Sequence, residues 1–390
     1  MRTLVDRYRM LLEETSTGYV RDIHDSIDWD DQLTAIMGAR GVGKTTLVLQ
    51  HIKLHEDIGK TLFVYADDMW FSSHSLFSLA ETFYKDGGKA LYIDEIHKYS
   101  NWSQEIKNIS DSFPRLRVCY TGSSVLDLQK GGYDLSRRVL EYHLQGLSFR
   151  EYLALGKGIY IPKHTLEQIL SGDIKFPFDQ YRPIELFKEY LKEGYYPFFK
   201  RSGYYLRLVN VINTVIEQDI PKFAELTLSM AEKLKTLLYI IAQSVPFKPN
   251  YTKIAQDLGT NRNVVSDLVI WLERAGLINI LRDETKGVKM SGKVNKIYLN
   301  NPNLAYALSD EVPNIGNIRE TVFLAWLKAG YKITASSVSD FKVEDYTFEV
   351  GGKNKGHTQV KDVKNAFIVK DDIEYGFKDT VPLWAFGLLY

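Results

Sequence analysis

Residues 38–47 read GARGVGKTTL and follow directly on the apolar run LTAIM. Gly38, Gly43, Lys44 and Thr45 occupy the four fixed positions of G-x-x-x-x-G-K-[ST], the pattern of a loop that wraps phosphate. The flanks decide the fold. A short β-type run, LTAI, precedes the loop, and a helix-permitting run, TTLVLQHIKLH, follows it. The stretch therefore predicts strand, loop and helix, the opening unit of an α/β domain. Glycine lacks a Cβ, so the backbone from Gly38 through Ala39, Arg40, Gly41 and Val42 to Gly43 can wind closely round a phosphate and aim its N–H groups inward. The helix that opens near Lys44 adds its positive end. In this arrangement Lys44 reaches the β- and γ-phosphates and the Thr45 hydroxyl ligates Mg²⁺, with Gly38 to Thr46 as the nucleotide-binding set.

The fate of the phosphate is decided about fifty residues on, in KALYIDEIH. Ala90 to Ile93 form a mostly apolar run, and Asp94 and Glu95 follow it. Such a run reads as a buried parallel strand, and α/β sheets place ligands at the carboxyl ends of their strands. Asp94 is placed to hold Mg²⁺. Glu95, one residue further, points elsewhere and can orient and deprotonate an attacking water. A phosphotransferase must exclude water, so the pair favours hydrolysis. A third candidate strand, RLRVCYTGSS at 115–124, ends in small polar residues at the level of a γ-phosphate. Thr121 or Ser123 could hydrogen-bond that phosphate or the attacking water. Between the loop and the acids lies TLFVYADD, which ends in Asp67 and Asp68. An extra strand between the loop strand and the acid strand fits the hydrolase branch of these folds.

GARGVGKTT, LYIDEIH, VCYTGSS and DLSRRVLEYHLQGLSFREYL together resemble an AAA+ ATPase domain of the prokaryotic kind. The likeness is carried by residues 20–155 and continues more loosely through GYYPFF (194–199) and IRETVFLAWL (318–327). The resemblance implies ATP and Mg²⁺ as substrate and cofactor. It makes Gly38 to Thr45 Walker A, Asp94 and Glu95 Walker B, and Thr121 to Ser123 sensor 1. Of Arg137 and Arg138, the latter precedes Val139 and is the better match to an arginine finger, which acts on a neighbouring subunit's nucleotide.

Composition agrees. At 390 residues the chain should form two or three domains, with 45% apolar and 25% charged residues. No apolar run approaches the roughly 18–20 residues of a membrane span. MRTLVDRYRMLLEE has interleaved charges in place of a secretory apolar core and predicts an amphipathic helix. The single cysteine, Cys119, cannot pair internally, which suits a reducing cytoplasm. With 49 basic and 49 acidic residues, no global field draws the chain to nucleic acid or membrane.

Beyond residue 155 three further domains are expected: a helical lid over 156–225, a winged helix over 226–310 and a small α/β domain over 311–390. The run YYLRLVNVINTVIEQDI should form a helix that ends before Pro221. In NYTKIAQDLGTNRNVVSDLVIWLERAGLI (250–278), Ile254, Ala255 and Leu258 face inward and Gly259 makes a tight turn. Asn261 or Thr260 caps a second helix with Val264, Val265, Leu268 and Leu272 on one face. This is a helix-turn-helix pattern, with INILR and KVNKIYLN as a wing. Its surplus of positive charge lies mostly in Lys286, Lys289, Lys293 and Lys296. Both DNA binding and a packing or partner-contact role stay open.

For the last part the resemblance implies a restriction-endonuclease-like fold, in which an acid and an E-x-K pair hold a metal. The nearest acids are Asp345 and Glu349, and the lysine arrives late, as Lys353, after Gly351 and Gly352. Residues four apart on an unbroken strand lie roughly 13 Å apart, too far to share one ion. An inactive copy is the expectation. DTVPLWAFGLLY should finish a sheet or dock on it. The whole reads as a cytoplasmic ATPase acting as a nucleotide-driven switch, with a protein partner or a second copy of the chain as companion. The alternatives are a DNA-acting ATPase whose C-terminal domain cuts, and a scaffold that binds nucleotide without hydrolysing it.

Overall fold

The run LTAIMG is buried at all six positions and forms β1 (Leu33–Gly38); a strand with no wet face belongs inside a parallel sheet. In the computed structural model, residues 1–123, 135, 137–224, 226–244, 246–284, 293–309, 311–356 and 358–390 are described. The chain divides into two units, Met1–Gln145 and Gly146–Tyr390. The first opens with α1 (Arg2–Glu14), an amphipathic helix whose buried residues Leu4, Tyr8 and Leu12 recur every four positions. α2 (Lys44–His55), α3 (Leu76–Lys85) and α4 (Trp102–Ser112) then alternate with β2 (Thr61–Tyr65), β3 (Ala90–Asp94), β4 (Arg117–Ser123) and β5 (Leu140–His143).

The five strands are parallel, in the order β2-β3-β4-β1-β5. The strand that stands between the loop strand β1 and the acid strand β3 is thus β4, and not the TLFVYADD run. That run, as β2, takes the outer place beside β3, with Tyr65 opposite Asp94. Of its two acids, Asp67 binds Lys98 (2.6 Å) and Asp68 caps the turn at Trp70.

The second unit begins ahead of residue 155, because α5 (Phe149–Lys157) packs within it. The capping box of Ser148 and Glu151 starts that helix, and Phe149 meets Phe187 and Tyr190 edge-on. α6 (Leu166–Ser171), α7 (Pro183–Glu193), α8 (Tyr204–Thr214) and α9 (Ile220–Ala224) follow. The helix expected to stop before Pro221 does not stop there. Val215–Asp219 form a π-turn in which the Ile220 N–H reaches back to Val215. A proline ring clashes with the carbonyl four residues earlier, and the wider turn makes room for it.

α10 (Leu228–Gln243), α11 (Tyr251–Asp257) and α12 (Arg262–Arg274) lead into an antiparallel pair, β6 (Ile278–Arg282) and β7 (Val294–Leu299). Asn261 caps α12 through the N–H groups of Asn263 and Val264, and Val265, Leu268, Val269 and Leu272 are its buried face. α13 (Pro302–Leu308) and α14 (Ile315–Lys328) precede a sheet of β8 (Ile333–Ala335), β9 (Phe341–Val343), β10 (Tyr346–Gly351), β11 (Ala366–Lys370) and β12 (Thr380–Pro382). Its order is β12-β11-β10-β9-β8, parallel from β10 to β12 and antiparallel from β8 to β10.

Elements from all three spans expected beyond residue 155 pack against one another within the second unit. Leu383–Leu388, a buried 3₁₀ turn after β12, packs against α5, α6, α7 and α14. Trp326 of α14 donates to the Tyr190 hydroxyl of α7 (3.0 Å), which donates on to the Leu147 carbonyl (2.8 Å). Asn303 of α13, fully buried, accepts from the Tyr195 N–H (2.8 Å) and donates to the Leu191 carbonyl (2.8 Å). Phe187, Tyr190, Trp326 and Trp384, drawn from α7, α14 and the closing turn, are among the largest side chains buried there.

Candidate active site

The loop between β1 and α2 lies at the carboxyl end of the sheet. Gly43 caps α2 in the left-handed region, at φ 103°, where a side chain would strain the backbone. A Cβ on Gly38 would stand 2.3 Å from the Leu144 carbonyl oxygen, so only glycine lets β1 pass there. Arg21, itself buried, donates to the carbonyls of Gln145 (2.6 Å) and Val42 (3.4 Å), which ties the base of the loop down. Lys44 is buried, and its ammonium donates to the carbonyls of Gly38 (2.9 Å) and Ala39 (3.1 Å). The lysine is thus drawn in over the loop that Gly38, Ala39, Arg40, Gly41, Val42 and Gly43 form, with Thr45 and Thr46 in the first turn of α2.

Thr45, Asp94 and Thr121 make one chain of hydrogen bonds from the first turn of α2 across the carboxyl ends of β3 and β4. The Thr45 hydroxyl donates to Asp94 Oδ2 (2.7 Å), and the Thr121 hydroxyl donates to Oδ1 (2.5 Å). Thr121 also accepts the Glu95 N–H (2.9 Å). That bond holds Glu95 at φ 55°, a conformation a non-glycine residue adopts at some cost, so its side chain leaves the line of β3. There the carboxylate meets Lys98 (3.2 Å), His97 (3.7 Å) and Arg40 (3.8 Å). Ser123 pairs with Gly38 in the β1–β4 register, and its buried hydroxyl finds no partner among the described residues.

Charge follows from these surroundings. Burial pushes the Asp94 carboxyl above its ordinary value, against the hydrogen bonds from Thr121 and Thr45. Burial would raise Glu95 too, but its cationic neighbours hold it below the usual carboxylate value. Burial keeps His97 down at about 4, so near neutrality the cations that act on Glu95 are Lys44, Lys98 and Arg40. The residues fit a nucleotide with its cation. An under-compensated buried carboxylate beside a threonine hydroxyl suits a hard divalent ion. An unpartnered serine hydroxyl beside a glycine loop suits a phosphate oxygen.

Arg138 is half-exposed and ion-paired with Asp111 at the end of α4. Ser124, Asp134, Ser136, Lys286 and Lys289 lie outside the described residues. Sequence reasoning passed over Arg21, Arg40 as a partner of Glu95, and the His97–Lys98 step. The last was legible, since two basic residues follow the acids after the single residue Ile96; Arg21 lies too far from the loop in sequence to be connected to it.

In the second unit the expected cluster is rearranged. Asp345 is exposed in the turn between β9 and β10, away from Glu349, which is buried inside β10. The lysine that pairs with Glu349 is Lys355, and not Lys353, because Gly351 ends the strand and the turn at 352–355 brings Lys355 back. Ser339 donates to the other Glu349 oxygen (2.6 Å). Lys296 is bound by Glu320 and Asp340, both at 3.2 Å, and is not a free cation.

The family model described as an AAA domain matches residues 30–153, and one described as a domain of unknown function (DUF8612) matches 184–314. An uncharacterized protein of Methanocaldococcus jannaschii is 28% identical over 266 residues, which cover 63% of this chain and 56% of that protein. The match thus spans little more than half of that relative's length. A katanin structure, described as the basis of its self-assembly, gives a TM-score of 0.27 at 18% identity, over 41% of this chain and 57% of that one. The structure of C. elegans PCH-2 gives 0.25 at 14% identity, over 70% of this chain and 66% of that one. At such TM-scores neither likeness carries weight. Among the described residues no helix is long and apolar enough to cross a membrane. Residues 30–153 are thus matched to the AAA domain family on a five-stranded parallel α/β sheet, and the match suggests nucleotide binding and hydrolysis.

Proposed function

We propose that the chain is a Mg²⁺-dependent ATPase of AAA+ type whose hydrolysis acts as a switch. The observation that carries this reading is the hydrogen-bonded row Thr45–Asp94–Thr121, with Glu95 turned off its end toward Arg40 and Lys98. Thr45 and Asp94 would hold the cation, which would draw charge from the β- and γ-phosphates. Lys44 would exchange its loop carbonyls for phosphate oxygens. Glu95, kept ionised, would accept the proton of the attacking water, and Thr121 and Ser123 would hold that water or the γ-phosphate. A nucleotide-gated scaffold would have little use for a carboxylate held in a strained conformation at this place. Phosphate release with and without Mg²⁺ tests the proposal. Glu95→Gln should bind ATP and turn over at least about a hundredfold more slowly, and Lys44→Ala should lose binding. Parental turnover by Glu95→Gln would sink the role of Glu95.

Arg138 remains the candidate for reaching a neighbouring copy's nucleotide, for which it would have to leave Asp111. We read α10–α12 and the β6–β7 pair as a winged helix used in packing, since Lys296 is engaged by two carboxylates. The sheet from β8 to β12 we read as a nuclease-like fold without activity, because Lys355 and Ser339 already occupy the Glu349 carboxylate. Supercoiled plasmid should stay intact with Mg²⁺ or Mn²⁺; nicking that disappears in Glu349→Ala would promote the DNA-acting alternative.

A further inference from the structure

α2 carries histidines at both steps of its last turn, His51 and His55, four residues apart and so on one helix face. A third, His24, reaches them from the 3₁₀ turn Asp22–Ser26. One nitrogen from each of the three rings lies within 4.8 Å of the others, and His24 and His51 are both buried. The His24 Nε2 and His51 Nδ1 atoms face each other at 3.1 Å. Two imidazole nitrogens bound to one tetrahedral ion at about 2.0–2.1 Å stand roughly 3.3 Å apart, so this pair already has ligand spacing.

The outer nitrogens carry the stronger argument. His24 Nδ1 lies 3.1 Å from an Asp25 carboxylate oxygen. His51 Nε2 lies 3.5 Å from Glu56, which Arg117 grips through both oxygens (2.8 and 2.9 Å) and Tyr92 through one (2.8 Å). A carboxylate on the outer side of each ring favours the tautomer with its N–H outward. With both N–H groups outward the two lone pairs point inward, where a shared cation accommodates them; without an ion one ring donates to the other across the 3.1 Å gap. Trp29 stacks on His51 at 3.8 Å and 7°, which fixes the plane of the ring.

We propose that His24, His51 and His55 form a binding site for a divalent transition-metal ion of the Zn²⁺ or Ni²⁺ kind, separate from the phosphate loop at the other end of α2. Imidazole nitrogens select such ions over Mg²⁺, which prefers oxygen. His24 Nε2 and His51 Nδ1 supply the preformed half. His55, exposed at the last helical residue, completes a facial set by a side-chain rotation, and water fills the open position. The ion would clamp the segment before β1 onto α2.

Calorimetric titration of the tag-free, nucleotide-free full chain with Zn²⁺, Ni²⁺ and Mg²⁺ tests this, together with the visible absorbance of added Co²⁺. One equivalent of Zn²⁺ should bind and raise the melting midpoint, with no such response to Mg²⁺. His55→Ala removes an exposed ligand without disturbing the core, so its midpoint in chelator should match the parent. It and His24→Gln should each weaken Zn²⁺ binding by about tenfold or more. Asp94→Asn should bind Zn²⁺ as the parent does. Absence of stoichiometric binding, Zn²⁺ binding as tight as the parent's in both histidine variants, or loss of the ion in Asp94→Asn would each overturn the proposal.

Discussion

Each unit of this chain gathers carboxylates and cations around the end of a buried strand, and the two gatherings differ in what they leave unsatisfied. In the second unit, Glu320 takes the Tyr298 hydroxyl (2.7 Å) and Lys296, Asp340 takes Lys296 and the Val350 N–H (3.1 Å), and Glu349 takes Ser339 and Lys355. Each of these acids has its partners. In the first unit, the buried Asp94 is held by two threonine hydroxyls with no cation in ion-pair contact among the described residues, Glu95 is held at positive φ, and the Ser123 hydroxyl has no partner among the described residues. A closed network stabilises a fold; a network with open valences and local strain is organised for something that arrives.

Experiments can break that comparison. The largest expected effect on stability is at the closed network. Lys296→Met should cost about 3 kcal/mol, because it strands two part-buried carboxylates that now share one cation. Denaturant midpoints at constant slope would read it, and a loss below about 1 kcal/mol would show the network to be looser than it looks.

Next comes a closed network inside the first unit, which shows that the contrast is one of sites and not of units. Burial alone would raise Glu56, but its bonds from His51, Arg117 and Tyr92 hold it down at about 2. A folded-state value below the unfolded one means stability that is present above the unfolded value and lost as pH falls through the folded one. The parent should therefore lose on the order of 3 kcal/mol from this group as pH falls from about 4.5 to about 2. Glu56→Gln should be less stable near neutrality and lose less over that window. Identical acid profiles for the two proteins would remove Glu56 as the cause.

The smallest expected stability change is at the open site. Ser123→Ala deletes a hydroxyl that pays desolvation for no bond, so stability should stay level or rise by about 1 kcal/mol. ATP turnover should fall in the same variant. A clear loss of stability with turnover intact would make Ser123 an ordinary core residue.

How much of this was legible in the sequence varies with the range of the interaction. The loop, the acids and Thr121 could be read because each sits at the end of an apolar run, and the sheet aligns strand ends once strands pair. β4 was recognised as a strand, but its place between β1 and β3 was not, since pairing order is decided by crossovers and leaves no mark on local composition. Pro221 misled because propensity assumes α-helical spacing, and a π-turn lies outside that assumption. Asp345 and Lys353 were chosen by distance along the chain; the turn after Gly351 substituted Lys355. The three histidines are separated by 27 and 4 residues, with only the second step at helical spacing.

The sequence by itself determined the local grammar: a glycine loop between an apolar run and a helix, acids at a strand end, a capped second helix after Gly259. These are short-range facts, because backbone freedom and side-chain periodicity act over a few residues. Only the tertiary structure decided which charges are spent and which are left over. Lys296 could have faced solvent or phosphate from its place in KVNKIYLN, and it is Glu320 and Asp340, brought in from α14 and the start of the sheet, that engage it. Whether a buried polar group is satisfied depends on partners from distant segments, and those partners exist only once the core has closed.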